Sequence, residues 1–225
     1  FRALADRVYA GFNQRFWDEA TGTYESDTQC AYVLPLAFGL VPEKHQSTAA
    51  KRLVDDIMLK HNGHTSVGLI GTQWQMQVLT AIGHPEAAWS IITRTERPSW
   101  GYISAQGGTT SWERWDTDTQ DGGMNGESQK ILSGNLEAWC YQTLGGINYD
   151  PENPGFKHIV LRPFLPEDLP WVRATHVSPY GKIESEWKQE GGLLEWRIVV
   201  PPNTTATVYV PSSSEGAVKE SSVLA

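Results

Sequence analysis

Apolar residues in "FRALADRVYAGFNQRFWD" recur at Phe1, Leu4, Val8, Phe12 and Phe16, the spacing that lays one apolar stripe along a helix. The same reading predicts a mostly apolar helix in "TQCAYVLPLAFGL", with Pro35 inside it. "STAAKRLVDDIMLKHNG" follows, placing Leu53, Ile57 and Met58 on one face and stopping at Gly63. Two further helices are read in "TQWQMQVLTAIG" and "PEAAWSIITRTE", the second opening on Pro85, where a missing N–H costs nothing. The last is "SQKILSGNLEAWCYQTLGGI". Short and long connections alternate, the long ones being "HNGHTSVGLIG" and the stretch Arg97–Gly123. That rhythm suits a toroid of paired helices with its long loops at one mouth, and it suits an ordinary bundle as well.

Near Tyr149 the period changes from helical to alternating. Ile183, Ser185 and Trp187 alternate with Glu184, Glu186 and Lys188, a half-buried strand facing solvent on its charged side. "QEGG" turns it into "LLEWRIVV", and "PPNTT" turns the chain again into "ATVYV". The expectation is a helical domain over 1–148 and an antiparallel β-sandwich over 149–225.

Composition narrows the function classes. At 225 residues with 40% hydrophobic content the chain can build a real core. A formal net charge of −8 is the opposite of a nucleic-acid footprint, and no apolar run reaches the roughly 18 residues of a membrane span. Cys30 and Cys140 form no C-x-x-C unit, so they read as buried free thiols. Phe1 opens directly on a helical pattern, which reads as a chain cut from something longer. Compartment is therefore left open.

Tryptophan is the outlier, at ten residues. Three of them fall in "RPSWGYISAQGGTTSWERWDTDTQDGG", which otherwise reads as a loop. Within it Glu113 stands between Trp112 and Trp115. A carboxylate flanked by flat indole faces can hold an activated water beside a bound sugar ring. The plain alternative makes Glu113 a surface partner of Arg114 and the indoles hydrophobic plugs. Asp116 and Asp118 are near, but a loop fixes no separation between carboxylates. His64, in the Gly-bounded loop "NGHTSVGLIGTQW", and Trp74 after it form a second candidate site; the plain alternative is a satisfied loop histidine and a core indole, the commoner role for a lone histidine. Gln129 and Lys130, in "GGMNGESQK", can reach a ligand or solvent. The six histidines show no metal-ligand spacing.

Several of these segments together resemble a known family. "PSWGYISAQGGTTSWERWD" is similar to the tryptophan-rich signature of the bacterial α-L-rhamnosidases, a family of glycoside hydrolases. "FNQRFWDEATGTYESDTQCAYVLPLAFGLVPE", "NGHTSVGLIGT" and "NLEAWCYQTLGGI" resemble its helical domain, and "SPYGKIESEWK" and "VPPNTTATVYVP" its C-terminal β-domain. The likeness runs in order along nearly the whole chain.

The resemblance implies the second half of an (α/α)6 barrel followed by an antiparallel β-sandwich. It also implies hydrolysis of terminal α-L-rhamnose with inversion, without metal or cofactor. The substrate would be a rhamnose-containing glycan or glycoside. The glutamate of "WERW", here Glu113, would be the general base. One of Trp112 and Trp115 would face the C5 methyl of the sugar. The general acid would come from the N-terminal remainder of the same polypeptide. Many relatives carry Asn-His at the last helix entry, where this chain has "SQK"; Lys130 or Gln129 would then take the sugar contact. Two other readings stay open: a carbohydrate-binding or scaffold fragment without catalysis, and an inverting hydrolase of this barrel type acting on another sugar.

Overall fold

The computed structural model describes residues 1–112, 114–119, 135–212 and 217–220. The chain divides into two compact units, Phe1–Glu137 and Ala138–Ala225.

In the first unit, helix α1 spans Arg2–Phe16. Its predicted stripe is present, but no residue of the helix is buried, and Leu4, Val8 and Phe16 lie exposed. A two-strand ribbon of β1 (Trp17–Asp18) and β2 (Thr23–Tyr24) leads to Thr28. The Thr28 hydroxyl accepts the Ala31 N–H and so caps α2, Gln29–Ala37. Pro35 is accommodated in its last turn. Helix α3 runs Glu43–Asp55, starting four residues earlier than the periodicity predicts, with Glu43 in its first turn, where a carboxylate favours the helix dipole. It widens into a π turn at Asp56–Lys60. Helices α4 (Leu69–Ala81) and α5 (Pro85–Thr93) follow, α5 opening on its proline as expected.

The core of this unit lies where α2 packs against α3 and α4, and α4 against α5. Tyr32, Leu53, Ile57, Met76, Leu79 and Ile91 are fully enclosed there. Burial of each such side chain stabilises the fold by about 1.5–3 kcal/mol.

One difference from the sequence reading bears on the site. Trp100–Ala105, inside the stretch read as a loop, is a helix, α6. Six residues are too few to show a period. What starts it is Ser99, fully buried, whose hydroxyl accepts the Tyr102 N–H at 3.0 Å.

Helix α7 is Asn135–Trp139 and continues as a π turn over Cys140–Leu144; the earlier part of the predicted last helix lies outside the described residues. In the second unit β3 (Ile147–Tyr149), β4 (His158–Leu161) and β8 (Thr205–Val208) form one sheet, and β5 (Trp171–Ser178), β6 (Gly181–Glu190) and β7 (Leu193–Val199) the other. Ile147, Ile159 and Leu161 of the first sheet share a core with Ala174 and Ile183 of the second. The hairpin at Gly191–Gly192 has φ of 59° and 80°, left-handed values that glycine adopts without strain. One pair departs from the antiparallel expectation: β4 and β8 run parallel, with His158 opposite Thr205. Neither cysteine is in a disulfide, and both are half-buried rather than fully enclosed.

Candidate functional site

A cavity of about 330 Å3 opens where the loop before α4 meets α6, Ser111, Trp112 and Arg114–Asp116. That is the lower end of the range for small-ligand pockets, about 300–1,000 Å3. Ser66–Leu69 and Thr72 form one part of the lining; Trp100, Trp112 and Trp115 make it aromatic elsewhere. A larger depression, about 690 Å3, runs beside α3, but it has no aromatic wall and several of its charged groups already have partners. There Lys60 pairs with Asp56 at 2.8 Å, Lys51 with Asp55, and Arg52 donates to the Thr21 carbonyl. The smaller cavity is the better candidate.

Each indole is held differently. Trp115 donates its ring N–H to the Val67 carbonyl at 2.9 Å and meets Trp100 edge to face, centroids 5.0 Å apart. Its ring is half-buried, so part of it stays open. Trp112 is 8% exposed and stands edge-on to Tyr102. Its ring nitrogen is buried without a partner among the described residues. Gly108 permits that placement: a Cβ there would fall 2.6 Å from Ile103 Cγ2 and 3.2 Å from Trp112 Nε1.

Among the described residues, Asp116 in the lining and Asp118 after it are committed to local partners. Arg114 donates from Nε and Nη2 to Asp116 at 3.0 and 2.9 Å, a two-pronged pair. Asp118 accepts the Tyr102 hydroxyl at 2.5 Å and lies 3.7 Å from Arg97. The bond to Asp118 raises the pKa of the Tyr102 phenol, because it stabilises the protonated form.

Of the residues singled out from sequence, Trp112 and Trp115 meet at this cavity. Glu113 lies outside the described residues, as do Gln129 and Lys130. The two chain neighbours of Glu113, Trp112 and Arg114, both line the cavity. His64 is half-buried at the foot of the loop, its Nδ1 3.0 Å from the His61 carbonyl. Its Nε2 is buried without a partner among the described residues. Trp74 is not in the cavity wall: it packs edge-on against Phe38, centroids 5.2 Å apart.

Sequence reasoning left out Trp100 and Thr72 from the wall, and two buried glutamines, Gln29 and Gln75, beneath the loop. Trp100 had a signal, standing in the same tryptophan-rich stretch. The glutamines had only a weak one: Gln29 is an amide opening a mostly apolar helix, and Gln75 is one of three amides in α4. Among the described residues no group of three or more His, Cys, Asp or Glu is placed to hold a metal ion, and no helix is long and apolar enough to cross a membrane.

Comparison with known proteins bears on both units. Residues 1–144 match the bacterial alpha-L-rhamnosidase 6 hairpin glycosidase domain, and residues 146–225 the bacterial alpha-L-rhamnosidase C-terminal domain. An alpha-L-rhamnosidase of Streptomyces avermitilis is 36% identical over 213 residues, 93% of this chain and 20% of its own length. A solved alpha-L-rhamnosidase from Dictyoglumus thermophilum superposes with a TM-score of 0.86 at 33% identity, covering 95% of this chain and 24% of its own. A Streptomyces avermitilis alpha-L-rhamnosidase solved with L-rhamnose gives 0.84 at 35% identity, covering 95% and 21%. The chain thus spans about a fifth to a quarter of the relatives it matches.

Proposed function

We propose a function for this cavity on one premise: the chain belongs to the bacterial alpha-L-rhamnosidase family. The whole polypeptide removes terminal α-L-rhamnose from glycosides or glycans with inversion at the anomeric carbon. This chain contributes the aromatic wall and the general base, Glu113. The N-terminal remainder of the same polypeptide contributes the general acid.

The observation that carries the reading is the lining. Both neighbours of Glu113 in the chain, Trp112 and Arg114, line one cavity that Trp100 and Trp115 also wall. A pyranose presents apolar C–H faces and, in rhamnose, a C5 methyl, which flat indoles cover well. Trp112 and Trp115 supply that surface. Hydroxyls need donors and acceptors, and Trp112 brings to the lining a buried ring nitrogen without a partner among the described residues, while His64 stands outside that lining. Lys130 or Gln129 supplies a further donor to the sugar. Trp74, packed on Phe38, acts as support for α4.

In the reaction Glu113 takes a proton from water as the water oxygen bonds to the anomeric carbon. The bond from that carbon to the leaving oxygen breaks, its electron pair stays on oxygen, and the general acid protonates it. In inverting enzymes the two carboxyls stand about 6.5–9.5 Å apart, leaving room for the water. No metal or cofactor enters this scheme.

The test uses the full-length polypeptide and nitrophenyl α-L-rhamnoside, with proton NMR of the first product formed. The β anomer appearing before mutarotation is the expected result. Retention of configuration, or binding of rhamnose without hydrolysis, contradicts the reading.

A further inference from the structure

Gln29 of α2 and Gln75 of α4 are both fully buried. An amide enclosed in a helical core is costly unless its bonds are made, and an apolar side chain of similar size avoids the risk. Here nearly every bond goes to the same short segment. Gln29 Nε2 donates to the His64 carbonyl at 3.2 Å, and Gln29 Oε1 accepts the Ser66 N–H at 2.8 Å. The same oxygen accepts Gln75 Nε2 at 2.8 Å, tying the two amides together. Gln75 Oε1 accepts the Thr65 hydroxyl at 2.7 Å, and that hydroxyl accepts the Val67 N–H at 3.3 Å. Four consecutive residues are thus fixed from beneath. The last of them, Val67, presents its carbonyl to the Trp115 ring N–H.

We infer that Gln29 and Gln75 are positioning residues for the sugar site, setting the 64–67 segment and, through Val67, the angle of the Trp115 wall. The inference rests on the reading of the cavity as that site. Leucine in either place would fill the space but specify no register, whereas a satisfied polar network fixes one arrangement. A wall displaced by about 1 Å is enough to lose up to about 10²-fold in rate or affinity.

The experiment uses full-length enzyme labelled with 5-fluorotryptophan, the Trp115 resonance being assigned through Trp115→Phe. In Gln75→Leu the Trp115 fluorine signal moves or broadens, and KM for nitrophenyl α-L-rhamnoside rises roughly tenfold with kcat within about threefold, the mark of lost uniform binding. Thr65→Val, which cuts the link while leaving both glutamines in place, shows the same pattern to a smaller degree and serves where Gln75→Leu does not fold. Leu53→Ala, a core deletion in α3, lowers thermal stability without moving either readout. The inference is overturned if the Trp115 signal stays put in a folded variant, or if Leu53→Ala raises KM equally. An enzyme inert toward rhamnosides sinks the reading of the cavity instead, and the fluorine signal alone then decides whether the glutamines hold the wall.

Discussion

Trp187 and Trp115 make the same bond and serve different ends. Trp187, on β6, is fully buried and donates its ring N–H to the Leu144 carbonyl at 2.7 Å. Trp115 donates to the Val67 carbonyl at 2.9 Å, but its ring borders a cavity. In the first case the hydrogen bond completes a sealed core. In the second it aims a surface that is left partly open. What distinguishes a structural indole from a candidate ligand wall is therefore the covering of its faces, not the satisfaction of its nitrogen.

The largest effect that separates them is on stability. Trp187→Ala removes a sealed ring and should cost about 3–5 kcal/mol, read as a lower urea midpoint confined by hydrogen exchange to the second unit. Next is Ser99→Ala. It takes away the cap of α6, which carries Trp100 and Ile103 into the cavity wall, and should cost about 1–2 kcal/mol while raising KM. Trp115→Phe keeps a ring but loses the bond to Val67, about 1 kcal/mol of stability, with KM raised more than the stability loss accounts for. If Trp187→Phe shifted KM as Trp115→Phe does, the distinction would fail.

The smallest effect concerns acid. Glu184 is buried on β6, paired with Lys182 and with Arg197 at 2.9 Å. Lys182 holds its carboxyl below the usual range, chiefly through their hydrogen bond. A lowered carboxyl contributes stability above its unfolded pKa, about 4.3, and that contribution fades as pH falls through the folded value. Glu184→Gln should therefore lower Tm at pH 7, with the gap to wild type closing below about pH 4.

Much of the fold was legible in the sequence because its signals were local. Gly63 ending a helix, Pro85 opening one and the paired glycines at 191–192 each act within a few residues. Glu184 was misread because strand alternation sends it to solvent, while two cations on neighbouring positions close over it. The parallel pairing of β4 with β8 joins segments 47 residues apart, His158 to Thr205, which no local pattern encodes. At the site, clustered tryptophans advertised the wall. The glutamines did not advertise themselves: Gln75 is one of three in α4, with Gln73 and Gln77, and an amide is informative only once its partners are known. Helix α1 shows the reverse: its stripe is clear in sequence, yet none of its residues is buried.

The most direct test of the account is Glu113→Ala in the full-length polypeptide, assayed on nitrophenyl α-L-rhamnoside with and without azide. Loss of a positioned base should lower turnover by about 10²–10⁴-fold with the fold intact, and azide should yield a rhamnosyl azide of configuration opposite to the substrate. Near-normal turnover in a folded Glu113→Ala enzyme would contradict the role assigned to that carboxylate.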